Sequence, residues 1–222
     1  MKTQTRLALL AILSFALAVI PAAATTYSNG PCNCDEDAFT ISQGYIVTDS
    51  FTTLSQVGSY SFWVWAYPGD SMGSLDWSVG SSAYGTDKGS GTANTLGNLG
   101  GGQLSSHFVS SNAYGYDIDL ITVTGLAISG LNPSLTYWLT LQNATDPYHP
   151  TDVFYWDENY GVGCTSPGCP SLAYESSYGT VPSEAFFISD ASGATTPEPG
   201  SFALLGSGIL GMAGVLRRRF FG

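Results

Sequence analysis

Three observations predict an all-β body. Short stretches rich in aromatic and β-branched residues recur along the chain, several of them alternate at period two, and Gly, Pro, Asn, Asp and Ser punctuate them at regular spacing. No stretch of the body sustains a period of 3.6 with capping residues at its ends. Nine or ten such strands imply two packed antiparallel sheets, a β-sandwich of the jelly-roll type. An N-terminal signal helix and a single hydrophobic C-terminal helix are expected to flank it.

Residues 1–24 open with Lys2 and Arg6, run through an apolar stretch from Leu7 to Ile20 and end in Pro21-Ala22-Ala23-Ala24. That order describes a secretory signal peptide with cleavage expected after Ala24. The body, 25–190, follows. Tyr60, Phe62, Val64 and Ala66 alternate with Ser61, Trp63, Trp65 and Tyr67 before the Pro68-Gly69-Asp70 turn, and Leu135, Tyr137, Leu139 and Leu141 alternate with Thr136, Trp138, Thr140 and Gln142. Further strands are expected at Gly44–Thr53, Leu75–Ser81, Gln103–Ser110, Asp117–Ile128, Val153–Asp157, Leu172–Glu175 and Glu184–Ser189. Gly85–Gly102 holds seven glycines in eighteen residues and reads as a mobile loop. Residues 191–196 form a stalk. The tail, 197–222, contains the uncharged segment 200–216, about 25 Å long as a helix and just short of a bilayer's hydrocarbon core, followed by Arg217, Arg218 and Arg219. Those arginines stay cytoplasmic by the positive-inside rule and place the body on the far side, in agreement with the signal peptide.

Charge narrows the function classes. Of the six basic residues only Lys88 lies in the body, against sixteen Asp and Glu between Thr25 and Thr196. Nucleic-acid binding is excluded, because a polyanion needs a basic footprint. Disorder is excluded too, since 44% hydrophobic and 13% aromatic residues are enough for a core.

Pro197-Glu198-Pro199, the Gly-rich apolar segment after it and the Arg217–Arg219 cluster, on a chain with a signal peptide, resemble the PEP-CTERM sorting signal of Gram-negative bacteria. The resemblance covers about 26 residues. It implies recognition by an exosortase, an integral-membrane cysteine protease that cuts near the tripeptide. The chain is then an inner-membrane intermediate that passes to the cell surface or extracellular matrix. Parts of the body (75–80, 137–144, 155–159 and 182–188) are similar to uncharacterised ectodomains of PEP-CTERM proteins, which supports secretion and architecture and carries no activity with it.

Several constellations are candidates for chemistry. Cys32, Cys34, Cys164 and Cys169 form an even set in an exported chain, so disulfides are expected. The Pro167-Gly168 turn can bring Cys164 to Cys169, leaving Cys32 with Cys34, and cross-pairing remains open; the spacings are not those of a zinc ribbon. Gly69-Asp70-Ser71-Met72-Gly73 matches a nucleophile elbow in letters, but it follows Pro68 and precedes a β-like stretch, and His107 and His149 read as surface residues. Asp157, Glu158, Glu175 and Glu184 are the carboxylate pool a glycoside hydrolase would need. The same region, through Asp157, Glu158 and Asn159, is a candidate Ca²⁺ site, with Asp117 and Asp119 second. Trp138, Trp63 and Trp65 fall on the faces opposite the apolar set of their strands. Flat aromatic faces stack on sugar rings, so these three are candidate carbohydrate contacts, with a place in the core as the competing reading. Asn143-Ala144-Thr145 spells a glycosylation sequon, discounted in a bacterial chain. The expected function is that of an exported, non-enzymatic protein associating with exopolysaccharide, with a purely structural matrix protein and a carbohydrate-active hydrolase as alternatives.

Overall fold

The computed structural model describes residues 26–190, which lie within one unit spanning Ala24–Gly193. The signal peptide, the stalk and the sorting tail, with both expected terminal helices, lie outside the described residues.

Thirteen strands form the body: β1 (Thr26–Ser28), β2 (Ala38–Thr40), β3 (Ile46–Phe51), β4 (Gln56–Ala66), β5 (Ser74–Gly80), β6 (Gly89–Asn94), β7 (Gly100–Ser111), β8 (Asp117–Ser129), β9 (Tyr137–Thr145), β10 (Tyr155–Asp157), β11 (Ala173–Glu175), β12 (Gly179–Val181) and β13 (Phe186–Ser189). Each of the nine stretches assigned from sequence overlaps one of them. No helix is present among the described residues, and none there is long and apolar enough to cross a membrane.

The body is all-β, as expected, and the strand pairing does not confirm the jelly-roll arrangement. All thirteen strands belong to one hydrogen-bonded sheet in the order β1-β13-β4-β8-β7-β6-β5-β9-β3-β11-β12, with β10 pairing β2 and β4. The sheet is mixed, because β6 and β7 run parallel whereas every other pair is antiparallel. It curls until strands far apart in the ladder touch through their side chains. The Tyr60 ring on β4 meets Trp77 on β5 at 6.3 Å, and Tyr27 on β1 meets Phe51 on β3 at 6.2 Å. One core fills the curl, with Phe62, Val64, Leu75, Ile121, Val123, Leu139, Leu141 and Trp156 among its members. These are the inward sets of the period-two strands, and removing their apolar area from water is the main drive for closure.

The parallel pair occupies the expected Gly85–Gly102 loop. A Cβ on Gly91 would stand 2.7 Å from Gly101 Cα, and one on Gly101 would stand 2.4 Å from backbone atoms of Thr92. The Trp77 indole N–H donates to Gly101 O at 2.6 Å. Here glycine serves close backbone approach, and the chain is ordered into strands without an apolar alternation to announce them.

A second, smaller cluster lies on the outer face of β4. Trp63, Trp65, Ile118 and Ala185 pack there beneath Cys32, Cys34 and Ala38 of the N-terminal arm, with Tyr116, Leu120, Tyr155 and Phe187 beside them. Disulfides join Cys32 to Cys34 and Cys164 to Cys169, with Cα separations of 5.0 and 6.1 Å.

Candidate functional site

β10 and β13 share one edge of β4. β13 pairs along Ser59–Phe62 and β10 along Val64–Trp65, and a bridge between Glu158 and Glu184 marks the handover. Four carboxyls are buried around that seam: Asp49, Asp157, Glu158 and Glu184. Asp157 accepts from the Trp65 indole N–H and from the backbone N–H groups of Asn33 (3.0 Å) and Cys34 (3.2 Å). Burial pushes its carboxyl up to about 7 in spite of those donors, and Asp35 adds to the rise. Glu158 is likewise pushed up to about 7 by burial, opposed by the nearby Tyr160 hydroxyl and reinforced by Asp37 and Glu36. Asp49 and Glu184 are held well above the usual carboxylate range by burial, and Glu184 also by the neighbouring Asp49. The two carboxylate oxygens of Glu184 meet no hydrogen-bond donor, while its backbone N–H donates to Asp49 Oδ2 at 2.7 Å.

Asn159 is a clamp. Its amide donates to Asn29 O (2.6 Å) and Pro31 O (3.2 Å), and its Oδ1 accepts from Gly161 N (2.9 Å) and Ser183 Oγ (3.2 Å). Asp157 and Asn159 therefore hold the arm 29–34 against the sheet through different groups. The second expected Ca²⁺ pair is also engaged: Asp117 accepts from Ser111 Oγ at 2.9 Å and Asp119 from Ser106 Oγ at 2.6 Å. Glu175, from the hydrolase pool, ties the β11–β12 turn by accepting from Ser176 Oγ and from Ser177 and Tyr178. Asp70 and Ser71 of the elbow-like motif sit on a loop that runs into strand β5.

The three expected carbohydrate contacts separate. Trp63 and Trp65 are 9% and 7% exposed, sealed beneath the arm, with Trp63 edge-on to Phe187 at 5.1 Å. Trp138 is half-buried on the outer face of β9 and packs against Tyr174 of β11, ring centroids 5.4 Å apart. Register explains the meeting. Trp138 pairs with Ser50 on β3, and Thr48, two residues earlier on the same face, pairs with Tyr174 on β11. Thr140 and Gln142 continue that face of β9, and Asp76 lies opposite Gln142 on β5. From Trp138 to Gln142 is about 13 Å along the strand. Asp76 in turn accepts from Asn143 Nδ2 at 2.9 Å. An aromatic pair stands at one end of the face, and an amide-carboxylate group at the other.

Tyr174 falls within the expected Leu172–Glu175 strand, but its meeting with Trp138 depends on a register that spacing does not encode. A cluster built by Asp70, Asp146 and His149 went unrecognised for the same reason. His149 looked like an isolated loop residue, and its two aspartates come from different loops.

Residues 195–219 match the family model for the PEP-CTERM protein-sorting motif. No curated protein matches the chain. The match covers Pro197-Glu198-Pro199, the apolar segment and Arg217–Arg219, so the chain carries a PEP-CTERM protein-sorting motif, a C-terminal signal for export.

Proposed function

We propose that this chain is a non-enzymatic surface or extracellular-matrix protein, processed by an exosortase at the inner membrane, that binds exopolysaccharide through the outer face around Trp138 and Tyr174. The observation that carries the reading is the Trp138–Tyr174 pair, half-buried on a face that continues into Gln142 and Asp76. Aromatic rings supply the flat surface that sugar C–H faces stack on, and amides and carboxylates take the hydroxyls. The engagement of Asp157 and Glu175 by backbone and side-chain donors, and the burial of Glu158 and Glu184, favour binding over hydrolysis.

The test is retention on immobilised polysaccharide from the producing cells. Trp138→Ala is expected to abolish retention while leaving Tm within a few degrees of the wild type. A large fall in Tm with unchanged retention would assign Trp138 to packing and remove the glycan reading.

A further inference from the structure

The loop between β4 and β5 and the segment following β9 are fastened together. Gly73 N donates to Thr145 O at 2.8 Å, and Ser71 N donates to Asp146 Oδ2 at 2.7 Å. A Cβ on Gly73 would stand 2.6 Å from Pro147 Cδ, so the approach requires glycine. Where the loops meet, one ligand atom from each of Asp70, Asp146 and His149 lies within 4.8 Å of the others. Asp70 Oδ1 is 2.9 Å and Asp146 Oδ2 is 3.7 Å from His149 Nδ1. Two ligands about 2.0–2.2 Å from a tetrahedral ion stand roughly 3.3 Å apart, between those two distances.

Both carboxylates are sealed and the imidazole is open: side-chain exposure is 3% for Asp70, 1% for Asp146 and 56% for His149. Asp70 Oδ2 is buried and meets no donor. Leaving such an oxygen unpaired is costly, and a cation held by both oxygens of Asp70 would satisfy it. Burial pushes the Asp146 carboxyl up, but the N–H groups of Ser71, Tyr148 and His149 outweigh it and hold it below the usual range. Asp70 is raised by burial and by the charges of Asp152 and Asp146, which marks surplus negative charge at this spot. Lys88, the single Lys or Arg among the described residues, pairs with Asp87 instead.

We propose that Asp70, Asp146 and His149 form a binding site for a divalent transition-metal ion of the zinc class, pinning the β4–β5 loop to the segment after β9. An imidazole nitrogen with two carboxylates is a ligand set that suits zinc and its neighbours better than Ca²⁺, which takes six to eight oxygens. His149 coordinates through Nδ1, giving up the hydrogen bond to Asp70 Oδ1. Its exposed side leaves the fourth position to water and provides the entry path.

Calorimetric titration of ZnCl₂ into the EDTA-stripped full chain tests this. One ion per chain is expected, with affinity at least tenfold weaker in both His149→Ala and Asp70→Asn. Zinc should also raise the Tm of the wild type and not that of His149→Ala, whose half-exposed side chain can be removed without disturbing the core. No binding by the wild type, or affinity in either variant equal to that of the wild type, would overturn the site. So would zinc-edge absorption showing sulfur instead of nitrogen and oxygen ligands.

Discussion

Asp157 shows how a single side chain sets the pH behaviour of the arm above it. Its carboxyl rises in the folded protein to about 7, driven by burial, whereas in the unfolded chain it titrates near 3.8. Between those values the folded state holds a proton that the unfolded state has released. The contribution of this carboxyl to stability therefore falls as pH rises from about 4 to about 7 and is constant above, the reverse of ordinary acid denaturation. Glu158, also pushed up to about 7, adds in the same direction. Thermal melts from pH 4 to pH 8 should show the highest Tm at the acidic end of that window. Asp157→Asn should flatten the slope, although its NH₂ group opposes the N–H donors of Asn33 and Cys34 and lowers Tm overall. A Tm rising steadily from pH 4 to pH 7 would contradict the assignment.

At the level of elements, Gly101 is the position where β6 and β7 cross most closely. Gly101→Ala places a methyl 2.4 Å from the Thr92 backbone, so one strand must move. A loss of about 2–3 kcal/mol is expected, seen as a Tm lower by several degrees, with the Trp77 fluorescence environment altered because its indole binds Gly101 O. An unchanged Tm would mean the crossing is loose. These same strands show where sequence reading stops. β4 and β9 were legible because Tyr60-Phe62-Val64 and Tyr137-Leu139-Leu141 face one core, so burial imposed alternation. β6 was not, because its glycines answer to the backbone of a neighbouring strand and carry no side-chain pattern. β1, β2 and β12 are three residues each, as are β10 and β11, but only the latter two fall in longer stretches rich in apolar and aromatic residues. The pairing of β1 is fixed by residues distant in sequence, as Thr26 lies opposite Ser189.

For the whole molecule, one lysine among the described residues and a PEP-CTERM motif at residues 195–219 fit a body made for export. If the motif is processed as proposed, surface-exposed protein should lack roughly the last 25 residues, and intact-mass measurement checks this; a mass retaining Arg217–Arg219 would refute it. The tail was legible because tripeptide, apolar run and arginines are contiguous, whereas the outer-face aromatics and the Asp70–His149 cluster depend on the pairing of strands distant in sequence.

The last described strand, β13, lies between β1 and β4, antiparallel to both, and the chain leaves it at Ser189 toward the sorting tail. Any pull exerted through the tail before it is cut would enter there. A pull along β13 loads both flanking ladders in shear, so their bonds resist together instead of opening in succession.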